Sequence, residues 1–292
     1  MTRILSSLSE IAPDYDAILC DLWGCVQNGI APYPAAVAAL QAFRAGGGKV
    51  VLLTNAPRPS ADVIAQIDRM GVPRDAWDAV VSSGDAAQDA MLAGAVGRRV
   101  WFIGSDKDLG FFDNIPADWV NKAPAIERVP LDEAEGIVCT GPYDDLHETP
   151  EDYHARFLLA KTRGLKLLCA NPDIVVDMGD RRIYCAGALA QLYTRMGGES
   201  LYFGKPHPPI YDLARRRLAA LGLDEPRLLA VGDGIRTDIE GGLGEGIDTV
   251  FITGGLAAET FGPDVEHPDP AALERWLADQ GRVPQYAMGR LR

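Results

Sequence analysis

The chain has 292 residues, a formal net charge of -13 and a sequence pI near 4.7. That length suffices for one large α/β domain or two moderate ones with a substantial core. The acidic balance repels phosphodiester backbones and anionic lipid surfaces, so nucleic acid and membrane are not expected partners, and an anionic substrate needs local positive charge from a metal, a lysine or helix N-termini.

The opening stretch "MTRILSSLSEIAPDYD" lacks the apolar segment of a signal peptide, and no later run approaches the ~20 apolar residues needed to span a bilayer. A cytoplasmic location is the expectation. Beyond it, short apolar, β-branched runs alternate with alanine-rich amphipathic segments, the pattern of a parallel sheet covered by helices. Strands are expected at 17–21, 49–54, 79–82, 99–103, 136–140, 165–169, 200–203, 227–231 and 248–252, too many for one tidy sheet. Helices are expected at 34–45, 60–70, 85–93, 150–163, 187–196, 208–221, 236–244 and 271–279, several opening on Ser, Thr, Asp or Pro and closing on Gly. The closing "RVPQYAMGRLR" reads as a tail. Cys20, Cys25, Cys139, Cys169 and Cys185 are scattered, with no C-x-x-C pair and no histidine at zinc spacing, and read as reduced, mostly buried small hydrophobes.

Polar residues follow three of the apolar strands: Asp21 after "AILC", Thr54 and Asn55 after "VVLL", and Asp233 after "LLAVG". In a parallel α/β sheet the carboxyl ends of strands share one edge, so residues far apart in sequence converge there. Lys205 stands just past "LYF", in "FGKPHPP", with prolines placed to start the next helix. The chemistry that wants these groups is phosphoryl transfer to a carboxylate. Asp21 is the nucleophile, forming an aspartyl-phosphate. Asp21 and Asp233 are the natural pair for Mg²⁺, a hard ion that takes oxygen ligands. Thr54 and Asn55 offer a hydroxyl and a backbone N–H to phosphate oxygens, Lys205 offsets charge, and Asp238 is placed to orient Lys205 or a metal-bound water.

These residues, in this order, resemble the haloacid dehalogenase superfamily of phosphatases. The motifs are "DLWG" at 21–24, "LTN" at 53–55, "GKPHP" at 204–208 and "GDGIRTD" at 232–238, and the resemblance extends to "NPD" at 171–173 and "CAGAL" at 185–189, over about 17–255. It places the chain near the subfamily IIA branch of sugar-phosphate, nucleotide, nitrophenyl-phosphate and pyridoxal-phosphate phosphatases. It implies a Rossmann-like parallel-sheet core at 1–83 and 200–292 with an inserted α/β cap at 84–199, bound Mg²⁺, and a small phosphorylated metabolite as substrate. It implies substrate-facing roles for Asn171 and Asp173, and a small flap at "VQNG", where Asn-Gly suits a tight hairpin. Assembly as a homo-oligomer is left open.

One position departs from the family. The residue two after the nucleophile is an acid/base aspartate in the family's phosphatases and is Trp23 here, although its main-chain carbonyl can still serve as the metal ligand found at that position. An indole N–H only donates. Loss of a positioned acid/base costs about 10²–10⁴-fold, so good leaving groups are favoured. Two alternatives arise from this: a catalytically weak phosphate- or metal-binding sensor or scaffold, and a metal-independent haloacid dehalogenase, in which an aromatic residue also follows the aspartate. His207 has suitable chemistry to replace the missing acid but sits between prolines at a helix start. Cys25 reads as a buried flap residue, His147, His154 and His267 as surface residues, and "AGGGK" at 45–49 as a helix C-cap turn rather than a phosphate loop.

Overall fold

The computed structural model describes residues 2–116, 119–178 and 181–292. The chain divides into two compact units, one formed by Met1–Thr54, Ile64–Val81 and Tyr211–Arg292, the other by Asn55–Val63 and Ser82–Ile210. Among the described residues no helix is long and apolar enough to cross a membrane.

The first unit is a Rossmann-like α/β unit built on a seven-stranded sheet, in the order Arg3–Ile4, Tyr286–Met288, Asp248–Ile252, Leu228–Gly232, Ala17–Cys20, Lys49–Thr54 and Ala79–Ser82. The pairings from Arg3–Ile4 to Lys49–Thr54 are all parallel. The central strands read as unbroken apolar runs because both faces are covered: Ile18, Val50, Val51, Leu52, Val250, Phe251 and Ile252 are all fully buried. On one side Phe251 stacks on Trp276 with ring centroids 5.4 Å apart, inside a cluster that includes Leu273 and Leu277 of helix Pro270–Gln280. That helix starts where the Asp269 carboxylate accepts the Ala272 N–H and ends at left-handed Gly281.

The second unit has its own five-stranded parallel sheet, ordered Glu199–Tyr202, Lys166–Cys169, Gly136–Cys139, Arg99–Ile103 and Glu127–Arg128. Strand alternation sorts its side chains onto two cores. Trp101, Ile103, Ile137, Cys139, Leu167 and Cys169 pack on one face, while Val100, Val138 and Leu168 pack on the other. The strand read at 200–203 as the start of a returning core segment pairs, as Glu199–Tyr202, with Lys166–Cys169, so the return to the first unit falls at Tyr211. An antiparallel pair, Val175–Met178 with Arg181–Tyr184, stands outside both sheets.

The helix expected at 236–244 is split into a π-helical turn, Ile235–Ile239, and a short helix, Glu240–Gly244. The expected tail contains the strand Tyr286–Met288, and Leu291 beyond it is buried. All five cysteines are free and buried.

One polar anchor fixes the entry to the sheet. Asp78 takes Arg44 Nε and Nη2 at 2.8 Å each and the Val50 N–H at 2.9 Å, tying helix Pro34–Ala45 to strand Lys49–Thr54. Burial works against its carboxylate, but Arg44, the Val50 N–H and Lys49 outweigh it and hold the pKa below the usual aspartate value. Asp78→Ala is expected to cost about 2–3 kcal/mol in urea unfolding. Because the folded pKa is lowered, this stabilisation is fully present above the ordinary aspartate pKa and is lost as the pH falls through the lower folded value. The two proteins should therefore converge in stability in acid.

Candidate active site

Asp21, Thr54 and Asp233 stand at the carboxyl ends of three neighbouring strands, Ala17–Cys20, Lys49–Thr54 and Leu228–Gly232. They are only 8%, 8% and 5% exposed. Strand pairing continues one step past the strand, where the Asp21 N–H donates to the Val231 carbonyl at 2.8 Å. This puts Asp21 alongside Asp233, and ligand atoms of the two carboxylates and the Cys25 thiol all lie within 4.8 Å of one another.

The glycines of this unit are what let Asp233 fit. A Cβ on Gly24 would lie 2.1 Å from Asp233 Oδ2, and one on Gly255 would lie 2.0 Å from the same atom. The Leu256 N–H donates to that oxygen at 2.9 Å, fixing the carboxylate plane. The spacing of "GDGIRTD" follows from the same packing. A Cβ on Gly232 would lie 2.0 Å from the Asp238 carboxyl carbon, and one on Gly234 would lie 2.0 Å from Thr237 Oγ1. Asp238 Oδ2 accepts the Gly234 N–H at 3.1 Å and the Thr237 hydroxyl at 3.3 Å, and the π-helical turn closes with Ile239 N–H on the Gly234 carbonyl at 3.1 Å. Asp238 thus braces the loop that carries Asp233.

After Asp21 the chain folds back as a flap. The Gly24 N–H bonds to the Gln27 carbonyl and the Tyr33 N–H to the Val26 carbonyl, both at 2.8 Å. Asn28 Oδ1 takes the N–H groups of Ile30 and Ala31 at 3.0 and 2.9 Å, and Gly29 between them and Asn28 has φ +87°. The Trp23 indole rests on this glycine, since a Cβ there would lie 2.5 Å from Trp23 Cη2, and the side chain is 38% exposed. Cys25 is the residue that sequence reasoning placed in the flap without its neighbours. Burial first, then Asp233 and Asp21, push its thiol well above the usual range, so it is a neutral group beside the carboxylates.

The second unit gathers Asn55, Asn171, Asp173 and Lys205. Asn55 Oδ1 accepts the Lys205 N–H at 2.7 Å, while Asn55 Nδ2 donates to the Lys205 carbonyl at 3.0 Å and to Asp173 Oδ1 at 2.9 Å. Both protons of the Asn55 carboxamide are therefore bonded to protein oxygens. Asn171 Oδ1 accepts the Asp173 N–H at 3.0 Å, shaping the N-P-D turn, and a Cβ on Gly187 would lie 2.1 Å from the Pro172 carbonyl oxygen. His207 stacks on Tyr202 at 4.9 Å. His147 and His267 form exposed pairs with Asp144 and Asp264.

Sequence reasoning missed Asp108. It lies buried past strand Arg99–Ile103 and accepts the Thr140 hydroxyl, from the end of the adjacent Gly136–Cys139, at 3.1 Å. Burial raises its pKa against the opposing pull of Lys107, Thr140, Arg58 and Ser105. The available signal was a strand ending in "IGSDKD" beside one ending in "CTGP".

Two carboxylates and a hydroxyl at adjacent strand ends of a parallel sheet make this edge of a Rossmann-like unit the candidate active site. Comparison with known proteins gives the family. The haloacid dehalogenase-like hydrolase profile matches residues 18–115, and a HAD-hydrolase-like profile matches residues 202–275. A solved hydrolase of the haloacid dehalogenase-like family from Brucella suis 1330 is 39% identical, covers 99% of this chain and 100% of its own, and superposes with a TM-score of 0.84. The chain belongs to the haloacid dehalogenase-like hydrolase family. It is also similar to D-glycerol 3-phosphate phosphatase of Mycobacterium tuberculosis, 29% identical over 85% of this chain and 66% of that protein. The matched segments cover 66%, 34% and 47% of the lengths of the first three curated relatives. A structure of the Mycobacterium tuberculosis glycerol phosphate phosphatase in complex with magnesium is 25% identical, with a TM-score of 0.66, over 95% of this chain and 75% of that one. These relatives favour neither the sensor nor the dehalogenase alternative.

Gly255→Ala tests the carboxylate cradle. The added methyl is expected to displace Asp233 and weaken Mn²⁺ binding, read by calorimetry, by about 10–100-fold while the circular dichroism spectrum is unchanged.

Proposed function

We propose that this protein is a Mg²⁺-dependent phosphohydrolase acting on a small phosphorylated metabolite through an aspartyl-phosphate. The observation that carries the reading is the Asp21–Asp233 pair, two buried carboxylates with ligand atoms within 4.8 Å at adjacent strand ends. Their hard oxygens suit Mg²⁺, whereas the Cys25 sulfur does not. Asp21, Asp233 and the Trp23 carbonyl would hold the ion, which when bound neutralises charge on the phosphoryl oxygens.

Asp21 attacks phosphorus, the bond to the leaving oxygen breaks, and the acyl phosphate forms. The Thr54 hydroxyl and the Lys205 ammonium bind the phosphoryl oxygens, and Asp238 acts by holding the Asp233 loop. Water then attacks phosphorus and releases Asp21. Neither half-reaction draws a proton from Trp23, whose N–H is a donor that does not titrate in this role. Leaving groups that depart as stable anions, such as acyl or aryl phosphates, escape this limit in the first half-reaction, while alkyl esters meet it in both. The second unit serves as the cap that recognises the rest of the substrate, with the N-P-D turn among its contacts. The similarity to glycerol phosphate and sugar phosphatases supports a small polyol or sugar phosphate as the natural class.

With Mg²⁺, the purified protein is expected to release phosphate from acetyl phosphate and p-nitrophenyl phosphate, and Asp21→Asn to abolish release. Release that survives Asp21→Asn would sink the mechanism. Trp23→Asp is expected to raise hydrolysis of glycerol 3-phosphate by about 10²-fold or more. No gain would mean that more than the acid has diverged.

A further inference from the structure

We propose that Asn55 is a positioning residue for Lys205, holding its main chain and coupling it to the N-P-D turn. This rests on the phosphohydrolase reading, in which Lys205 binds the phosphoryl group. Three hydrogen bonds converge on one carboxamide. Oδ1 takes the Lys205 N–H at 2.7 Å, and Nδ2 gives one proton to the Lys205 carbonyl at 3.0 Å and the other to Asp173 Oδ1 at 2.9 Å. The first two close a ring on a single residue's backbone, as a neighbouring strand would, and they do so across 150 residues of chain. Asn55 is 5% exposed and Lys205 2%, so water does not replace these bonds when one is lost.

The backbone around Lys205 is shaped to receive the clamp. A Cβ on Gly204 would lie 2.6 Å from Asn55 Oδ1, 2.5 Å from Ser83 Oγ and 2.6 Å from Pro172 Cδ, so only glycine lets the loop come this close. A lysine side chain is a flexible four-carbon stem, and fixing its Cα is what makes the reach of its ammonium reproducible. The third bond, to Asp173, gives the substrate-facing turn a hold on the same carboxamide. Asn55 touches no reacting atom through this side chain and acts through Lys205.

The test joins hydrogen exchange with kinetics. In Asn55→Ala the Lys205 amide should exchange at least about tenfold faster while amides of strand Leu228–Gly232 keep their protection. With acetyl phosphate, kcat should fall by about 10²-fold, the scale of a small misplacement. Lys205→Ala in the Asn55→Ala background should add little, because the two act as one unit. Asn55→Asp, which keeps an acceptor for the Lys205 N–H but sets an oxygen against the Lys205 carbonyl, should speed exchange of the Lys205 amide and lower kcat, and this near-isosteric variant decides the matter if Asn55→Ala does not fold. Unchanged Lys205 exchange in these variants, or fully additive losses, would overturn the proposal. Hydrogen exchange needs no turnover, so a wild-type protein that releases no phosphate would refute the phosphohydrolase reading alone.

Discussion

The structure of the first unit turns on holding two carboxylates together away from water. Asp21 and Asp233 are each nearly buried, and their ligand atoms lie within 4.8 Å. Like charges in such a place are costly unless a cation or a proton lies with them. The surrounding residues enforce the encounter. Parallel pairing of Ala17–Cys20 with Leu228–Gly232 sets the two strand ends side by side. Gly24 and Gly255 clear the space around Asp233, the Leu256 N–H fixes its orientation, and Asp238 braces the loop behind it. In the proposed reading a cation between the two carboxylates offsets this cost.

Trp23 changes what such a site can do without changing how it is built. The turn after Asp21 depends on main-chain bonds and on Gly24 and Gly29, and none of these needs an acid at the second position. The indole instead lies on Gly29, so its apolar area supports the flap. The family's fold and carboxylate pair are present alongside the substitution, and in the proposed mechanism what is missing is the acid/base group. In that proposed mechanism, the separation of scaffold from acid/base function lets a chain keep the family's strand-end residues and differ in the esters it hydrolyses.

Much of this was legible in the sequence because it is local. Strands buried on both faces appear as unbroken apolar runs, as at Lys49–Thr54 and Asp248–Ile252, and helices Pro34–Ala45 and Ser60–Met70 are bounded by proline, serine and glycine. Elements set by pairing rather than pattern were not legible. Arg3–Ile4 is two exposed residues, and Tyr286–Met288 is a strand because Asp248–Ile252 offers it an edge. The strand at Glu199–Tyr202 looked like a return to the first sheet, yet its partner, Lys166–Cys169, is a non-local choice. The same holds in the sites. Asp21, Thr54 and Asp233 announce themselves at strand ends, whereas the bond between Asn55 and Lys205 spans 150 residues and leaves no local trace. Cys25 was visible as a buried thiol, but its place beside the carboxylates comes from the turn that carries it back.

In the proposed mechanism Asp21 takes the phosphoryl group, and its transfer to water is slow because the side chain at position 23 cannot accept the water's proton. The most direct test is to mix the protein with acetyl phosphate and Mg²⁺, quench in acid and sequence the peptides by mass spectrometry. A phosphoryl increment is predicted on Asp21, removed by hydroxylamine and accumulating during turnover. Phosphate release with no adduct, or an adduct on another residue such as His207, would contradict it.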